Sequence, residues 1–229
     1  MMQHIKLVIF DLDGTLLNTL SDLAHSVNYA LKKCKFPIHP IESYKLFVGN
    51  GISKLLERSL PENQKTEQNI ARLKAFFLAY YNVHYMDFTE PYEGVHELLK
   101  TLKYKGLKLA VASNKYQTAT EKLIHHFFSD ITFTAIFGQR EGVPVKPDPA
   151  IVSDILQIAS VTPEETLYIG DSGVDMKTAS NSGVTPIGVT WGFRSREELE
   201  TAGASFIANT TNDIVAIVQC FSHNKCLSL

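Results

Sequence analysis

The feature that most restricts how this chain can fold is a short apolar run, residues 5–10, interrupted only by Lys6 and ending in Asp11-Leu12-Asp13-Gly14-Thr15. Aliphatic and β-branched residues without polar alternation describe a strand buried on both faces, as in a parallel sheet. Four later runs share this character: LKLAVAS (107–113), FTAIFG (133–138), TLYIGD (166–171) and TPIGVT (185–190). Helical spacing separates them. Val95, Leu98, Leu99 and Leu102 share a face before Gly106, as do Ala119, Leu123, Ile124 and Phe127, and then Ile151, Ile155, Leu156 and Ala159. Ser195 followed by Glu198 predicts a capping box at the start of a further helix. Strands alternating with helices of this length form βαβ units, so the expected class is α/β with a doubly wound parallel sheet. Ligands bind such sheets at the carboxyl ends of the strands.

Residues 17–88 break the alternation. Leu20, Leu23, Ala24, Val27, Leu31 and Cys34 predict one long helix, ended by Pro37 and Pro40. Ile52, Leu55, Leu56 and Ser59 predict a second after Gly49-Asn50-Gly51, where Asn50 is suited to a positive φ. Ile70, Leu73, Phe77 and Tyr80-Tyr81 predict a third from about Thr66 to His84. No strand-like run occurs here, and the Phe76-Phe77 and Tyr80-Tyr81 stripe is expected to be apolar core. The expectation is an all-helical insertion, 17–88, in an α/β core made of 1–16 and 89–229. This division accommodates 229 residues, more than one average domain and fewer than two.

Lys and Arg number 22 against 24 Asp and Glu, a net charge of −2, which argues against a nucleic-acid partner. The three cysteines, Cys34, Cys220 and Cys226, form no CxxC and suggest a reducing compartment. The N-terminal apolar run is too short for a secretory signal, and no stretch approaches the roughly 18 apolar residues of a membrane span. A cytoplasmic monomer or homodimer with no membrane partner is expected. The histidines show no metal-ligand spacing.

Chemistry gathers at the strand ends. Asp11 and Asp13, two residues apart just past a buried strand, bring like charges together, which is costly unless a cation or proton intervenes. Such a pair separates into an ionised nucleophile and a protonated general acid. Ser113 and Asn114 offer a hydroxyl and an amide at the end of the second predicted strand. Lys146, in Lys-Pro-Asp-Pro, brings one ammonium, and Asp171 and Asp175 follow the fourth strand. Four carboxylates and one lysine cannot hold an anionic substrate unaided. Hard oxygen ligands of this kind suit Mg²⁺, and a metal beside a carboxylate nucleophile and a lysine is a phosphoryl-transfer arrangement.

The series Asp-x-Asp-Gly-Thr, Ser-Asn, Lys-Pro-Asp-Pro and Gly-Asp-Ser-x-x-Asp resembles the four signature motifs of the haloacid dehalogenase superfamily, in order, and the helical insertion resembles its type-1 cap. By that resemblance Asp11 attacks phosphorus to form an aspartyl-phosphate. Asp13 protonates the leaving alcohol and later activates water, and Ser113 and Lys146 hold the phosphoryl oxygens. Mg²⁺ is held by Asp11, the Asp13 carbonyl and Asp171, with Asp175 orienting them. Dehalogenases of the superfamily lack the second aspartate, so Asp13 points away from that activity.

The segment from Gly49 to Leu60, with Thr190-Trp191-Gly192 and Ser113-Asn114-Lys115, resembles phosphoglycolate phosphatases, which implies a small phosphorylated metabolite as partner. Asn114, Asn50, Lys54 and Arg58 are the candidates for substrate contact, although Lys54 and Arg58 equally suit a solvated helix face. β-Phosphoglucomutases share the core motifs but usually carry Arg soon after the cap glycine, where this chain has Ser53 and Lys54. Pyrophosphatase and nucleotidase activities on the same scaffold stay open. A non-enzymatic phosphate-binding regulator would be expected to have lost Asp11 or Asp13. A receiver-type signalling domain places its acid pair and phosphoacceptor on different strands and has no seventy-residue insertion.

Overall fold

The computed structural model describes residues 4–223. In chain order, β1 (Leu7–Phe10) leads through a two-residue strand, β2 (Leu17–Asn18), into four helices: α1 (Leu20–Lys33), α2 (Tyr44–Phe47), α3 (Gly51–Ser59) and α4 (Glu67–His84). The chain returns through β3 (Glu90–Pro91) and α5 (Val95–Tyr104), then alternates through β4 (Lys108–Tyr116), α6 (Gln117–Phe127), β5 (Ala135–Gln139) and α7 (Ala150–Ala159). It continues through β6 (Thr166–Gly170), α8 (Gly173–Asn181), β7 (Thr185–Val189), α9 (Arg196–Thr201), β8 (Phe206–Ala208) and α10 (Thr211–His223).

Six strands form one parallel sheet in the order β5-β4-β1-β6-β7-β8. β1 sits inside it, between β4 and β6, and all four of its side chains are buried. Because side chains alternate across a strand, Val8 and Phe10 join the apolar layer of α5, α6 and α10, whereas Leu7 and Ile9 join that of α7 and α8. Burial on both faces is the reason the run carries no polar alternation.

Five elements escaped the sequence reading. β8 and α10 extend the alternation past the last apolar run, and the four-residue α2 and two-residue β3 are too short to show a period. β2 lies within the stretch expected to be free of strand, and it pairs antiparallel with β3, Leu17 against Pro91 and Asn18 against Glu90. Two residues are too few to carry a periodicity. This ribbon joins the two chain crossings between the sheet and helices α1–α4.

Those helices enclose their own apolar cluster, including Val27, Leu31, Leu56, Leu73 and Phe77, which Ala119 and Phe193 join from the sheet side. The expected stop of α1 at the prolines comes earlier, at Lys33, where Lys35 turns the chain at φ +63°. Within α1, Asp22 is buried, and its carboxylate accepts from the backbone N–H of Phe88 and Thr89 and from the Thr89 hydroxyl. The first helix is thereby tied to the returning chain. In the Gly49-Asn50-Gly51 turn the glycines carry the positive φ, at +124° and +79°. Asn50, at −111°, does not. At α9 only half of the expected capping box forms. The Ser195 hydroxyl accepts from Glu198 N–H, while the Glu198 carboxylate accepts instead from the N–H of Gly173.

Among the described residues no helix is long and apolar enough to cross a membrane. Cys34 and Cys220 are free thiols. Cys226 and the first three residues lie outside the described range.

Candidate active site

The ends of β1, β4 and β6 converge beneath the helical insertion, as a doubly wound sheet requires. Asp11, at the end of β1, is buried and accepts from Lys146 Nζ at 2.9 Å. Lys146 is itself 2% exposed, and its ammonium lies within 3.0 Å of four oxygens, on Asp11, Asp175, Ala112 and Tyr168. Burial works against the charged lysine, but the Asp11 and Asp175 carboxylates outweigh it and hold its pKa well above the ordinary value.

Asp171 and Asp175 follow β6. Asp175 caps the start of α8: its Oδ2 accepts from the Ser172 hydroxyl at 2.6 Å and the Ser172 N–H at 3.1 Å, and its Oδ1 accepts from Lys146 at 2.7 Å. Asp171 accepts from Phe193 N–H at 2.7 Å. Two glycines allow it to sit there. A Cβ on Gly14, which has φ +88°, would lie 2.3 Å from Asp171 Oδ2. A Cβ on Gly192 would lie 2.3 Å from Asp171 Cβ and 2.4 Å from the Gly14 carbonyl oxygen. This accounts physically for the glycines of Asp-Gly-Thr and Thr-Trp-Gly.

Asp11, Asp171 and Asp175 each offer one oxygen within 4.8 Å of the others, a spacing that can surround a cation. Burial first, and then the neighbouring Asp175 charge, raise Asp11 to about 7 although Lys146 opposes the shift. Asp171 is raised well above the carboxylate range by burial and by Asp175 and Asp11, against the Phe193 N–H and Arg194. An ionised Asp11, as expected from the sequence, therefore calls for positive charge beyond Lys146. Three buried carboxylates of this kind fit a divalent cation with a preference for hard oxygen ligands, such as Mg²⁺.

Asp13 faces a different set of donors. Thr19 Oγ1 donates to it at 2.6 Å, and Lys115 Nζ lies 2.9 and 3.2 Å from its two oxygens. The sequence reading named Lys115 only within the Ser113-Asn114-Lys115 resemblance and gave it no role in the site. β4 runs on to Tyr116, three residues past the expected end, and carries this buried lysine into the site. Burial disfavours its charge, and Asp13 and Tyr81 together outweigh that, so its pKa is raised. Strand alternation, which returns Lys115 to the side of Ser113, was the available signal. Ser113 is buried in the cavity wall, its Oγ accepting from Lys115 N–H at 3.2 Å.

The cavity measures about 600 Å³, counting the space open to solvent, and Asp11, Asp13, Ser113, Asn114, Lys115 and Asp171 line it. Asn114 has its amide engaged by backbone. Its Oδ1 accepts from Lys146 N–H, and its Nδ2 donates to the carbonyls of Lys146 and Gly49. The other three sequence candidates do not line this cavity. Arg58 donates to the Phe47 carbonyl at 2.9 Å and to Asn50 Oδ1 at 2.7 Å, so these two bind each other and brace the α2–α3 turn. Lys54 is exposed and pairs with Glu57 at 2.7 Å. α3 turns Ile52 and Leu55 to the cavity instead. Arg194, also missed, lines the cavity and reaches across to donate to the Val48 carbonyl at 2.7 Å.

A parallel α/β sheet gathering four aspartates, a serine and two lysines at its carboxyl edge, beneath a helical insertion after β1, defines a class of hydrolase. The family model for haloacid dehalogenase-like hydrolases matches residues 8–189, and the chain belongs to that family. Within it, the chain is similar to phosphoglycolate phosphatases. It is 33% identical over 224 residues to the phosphoglycolate phosphatase of Mannheimia succiniciproducens, covering 95% of this chain and 100% of that one. It is 34% identical over 194 residues to that of Haemophilus influenzae strain 86-028NP, covering 82% and 87%. A crystal structure of a predicted phosphoglycolate phosphatase from Haemophilus somnus superposes with a TM-score of 0.86 at 30% identity, covering 96% of this chain and 100% of that one.

Proposed function

We propose that the protein hydrolyses a small phosphate monoester, 2-phosphoglycolate first among the candidates, through an aspartyl-phosphate on Asp11. The observation that carries the reading is the pairing of differently partnered carboxylates in one cavity, Asp11 against Lys146 and Asp13 against Lys115 and Thr19. Lys146 holds Asp11 Oδ1 and so leaves the other oxygen to form the bond to phosphorus as the bond to the leaving alcohol breaks. Asp13 gives its proton to that alcohol. In the second half it takes a proton from the water that attacks phosphorus, which releases phosphate and restores Asp11. Thr19 and Lys115 orient Asp13 in both steps, and Ser113 and Lys146 hold the phosphoryl oxygens.

Asp11, the Asp13 carbonyl and Asp171 are the proposed holders of Mg²⁺, with Asp175 braced behind them. When bound, the ion supplies the positive charge that the carboxylate cluster and the phosphoryl group share. We also propose that residues 17–88 act as a cap over a core of 1–16 and 89–229, closing to exclude bulk water. Their separate apolar cluster and the β2–β3 ribbon at the crossings support this.

The test is turnover of a panel of small phosphate esters with Mg²⁺ and with EDTA, by wild type, Asp11→Asn and Asp13→Asn. Both variants should be close to inactive and hydrolysis should require the metal. Undiminished turnover by Asp11→Asn would refute the mechanism. If 2-phosphoglycolate were cleaved no faster than ethyl phosphate, the substrate assignment would fall while the reaction class stood.

A further inference from the structure

Tyr81, on α4, is fully buried, and its hydroxyl is one of two buried side-chain polar atoms without a hydrogen-bond partner among the described residues. Such a group costs about 1–3 kcal/mol to leave unpaired and calls for an explanation. Tyr81 lines the active-site cavity. Its ring is stacked on Phe77, with centroids 5.1 Å apart and 12° between planes, and the Lys115 ammonium stands 5.1 Å from its centroid. Burial pushes the phenol pKa up, with Lys115 opposing, so the group keeps its proton and can donate.

The rest of the wall contributed by the insertion is apolar side chain or glycine, such as Leu23, Ile52, Leu55 and Phe77. Among the described residues, Tyr81 is the only lining residue of the insertion with a polar side chain. The cations nearby, Lys115 and Arg194, come from the sheet side. Asp11, Ser113 and Lys146 account for the phosphoryl end. The remainder of a bound ester therefore meets an apolar wall carrying one donor without a hydrogen-bond partner, with the Lys115 ammonium beside it. A hydrogen-bond acceptor of negative charge suits that place.

We propose that Tyr81 is the residue by which the insertion selects substrate, its hydroxyl donating to an acceptor oxygen on the alcohol part of the ester. This rests on the monoester-hydrolase reading above, in which that oxygen belongs to the carboxylate of 2-phosphoglycolate. The task expected of Lys54 and Arg58 from the sequence falls instead to a tyrosine that the sequence pattern presents as core.

The test compares wild type and Tyr81→Phe, both with Mg²⁺, on 2-phosphoglycolate and on ethyl phosphate, which has a similar size but no acceptor beyond the phosphate. The variant should lose about ten- to a hundredfold in kcat/KM on 2-phosphoglycolate, the worth of a hydrogen bond to a charged group. Its turnover of ethyl phosphate should stay within about twofold, because that ester never engages the hydroxyl. Its Tm without substrate should not fall, since no partner is lost. Equal losses on the two esters, an unchanged ratio between them, or a lowered Tm would each overturn the proposal. Should wild type itself fail to prefer 2-phosphoglycolate, the substrate assignment fails separately. The variant's effect is then read on the best acceptor-bearing ester of the panel against its counterpart lacking the acceptor.

Discussion

Replacing Lys146 with Met keeps the length and apolar stem of the side chain and removes one charge from the most buried part of the site. The ammonium is 2.9 Å from Asp11 and 2.7 Å from Asp175. At an effective dielectric of about 20, each contact is worth about 6 kcal/mol before desolvation. Desolvation of three buried ions offsets much of that, and removing one partner of such a network typically costs about 3–5 kcal/mol, because the remaining charges are left uncompensated. For a chain of this size about 2–4 °C of Tm accompanies each kcal/mol, so metal-free Lys146→Met should melt about 6–20 °C below wild type at about pH 8.

The loss should depend on pH in a definite direction. Without the lysine, the folded protein holds protons on the carboxylate cluster more tightly than wild type does, where Asp11 already sits at about 7. The penalty is present above that range and fades as protonation removes the uncompensated charge, so the gap should be smaller at about pH 5.5. Differential scanning fluorimetry of EDTA-treated proteins at the two pH values measures both quantities. A loss below about 2 °C at the higher pH, or an equal loss at both, would refute the reasoning.

Three further outcomes follow from the same geometry. In metal-free wild type the folded pKa of Asp11 is raised from 3.8 to about 7, so its stabilising contribution is complete below 3.8 and lost as pH rises through 7. Thermal melts should therefore fall over that window, and millimolar Mg²⁺ should raise Tm more at about pH 8 than at about pH 5.5. Gly192→Ala places a Cβ 2.3 Å from Asp171 Cβ and 2.4 Å from the Gly14 carbonyl. It should displace Asp171 and raise the Mg²⁺ concentration needed for half-maximal activity by about tenfold or more, a shift seen by metal titration. Asp22→Ala leaves the buried Thr89 hydroxyl and the backbone N–H groups of Phe88 and Thr89 without their acceptor. It should cost about 2–4 kcal/mol in urea denaturation, while Asp22→Asn, which keeps one acceptor oxygen, should cost less.

The acidic edge of the sheet was legible because each part of it is local. A buried strand and the polar residues ending it are neighbours in sequence, and the parallel sheet brings such ends together without further information. Asp11, Ser113, Asp171 and Asp175 could be located in this way, and Lys146 by the Lys-Pro-Asp-Pro turn that precedes α7. The insertion was less legible because which face of a helix looks into a cavity depends on how the helix is seated. Lys54 and Arg58 have the right chemistry and spacing, yet α3 turns Ile52 and Leu55 inward and leaves Arg58 to brace Asn50. Tyr81 was concealed for the opposite reason: a buried aromatic at helical spacing is the ordinary mark of a core. Lys115 depended on how far β4 continues. Asp22 did leave a trace, as an acid among apolar neighbours on α1, but its partners lie 66 and 67 positions away.

The place of β1 has a consequence for how the molecule assembles. Its register partners on β4 and β6 lie about a hundred and about a hundred and sixty positions further along the chain. Helices α1–α4 find their partners within about seventy residues and can order early, whereas the strand leading into Asp11 must wait, wholly apolar, for partners made much later. During synthesis, at roughly 5–20 residues per second, that leaves Leu7–Phe10 without β6 for roughly 10–30 seconds. The segment that leads into Asp11 is thus exposed to mispairing in the nascent chain, and the acidic residues that directly follow it restrain association at that end.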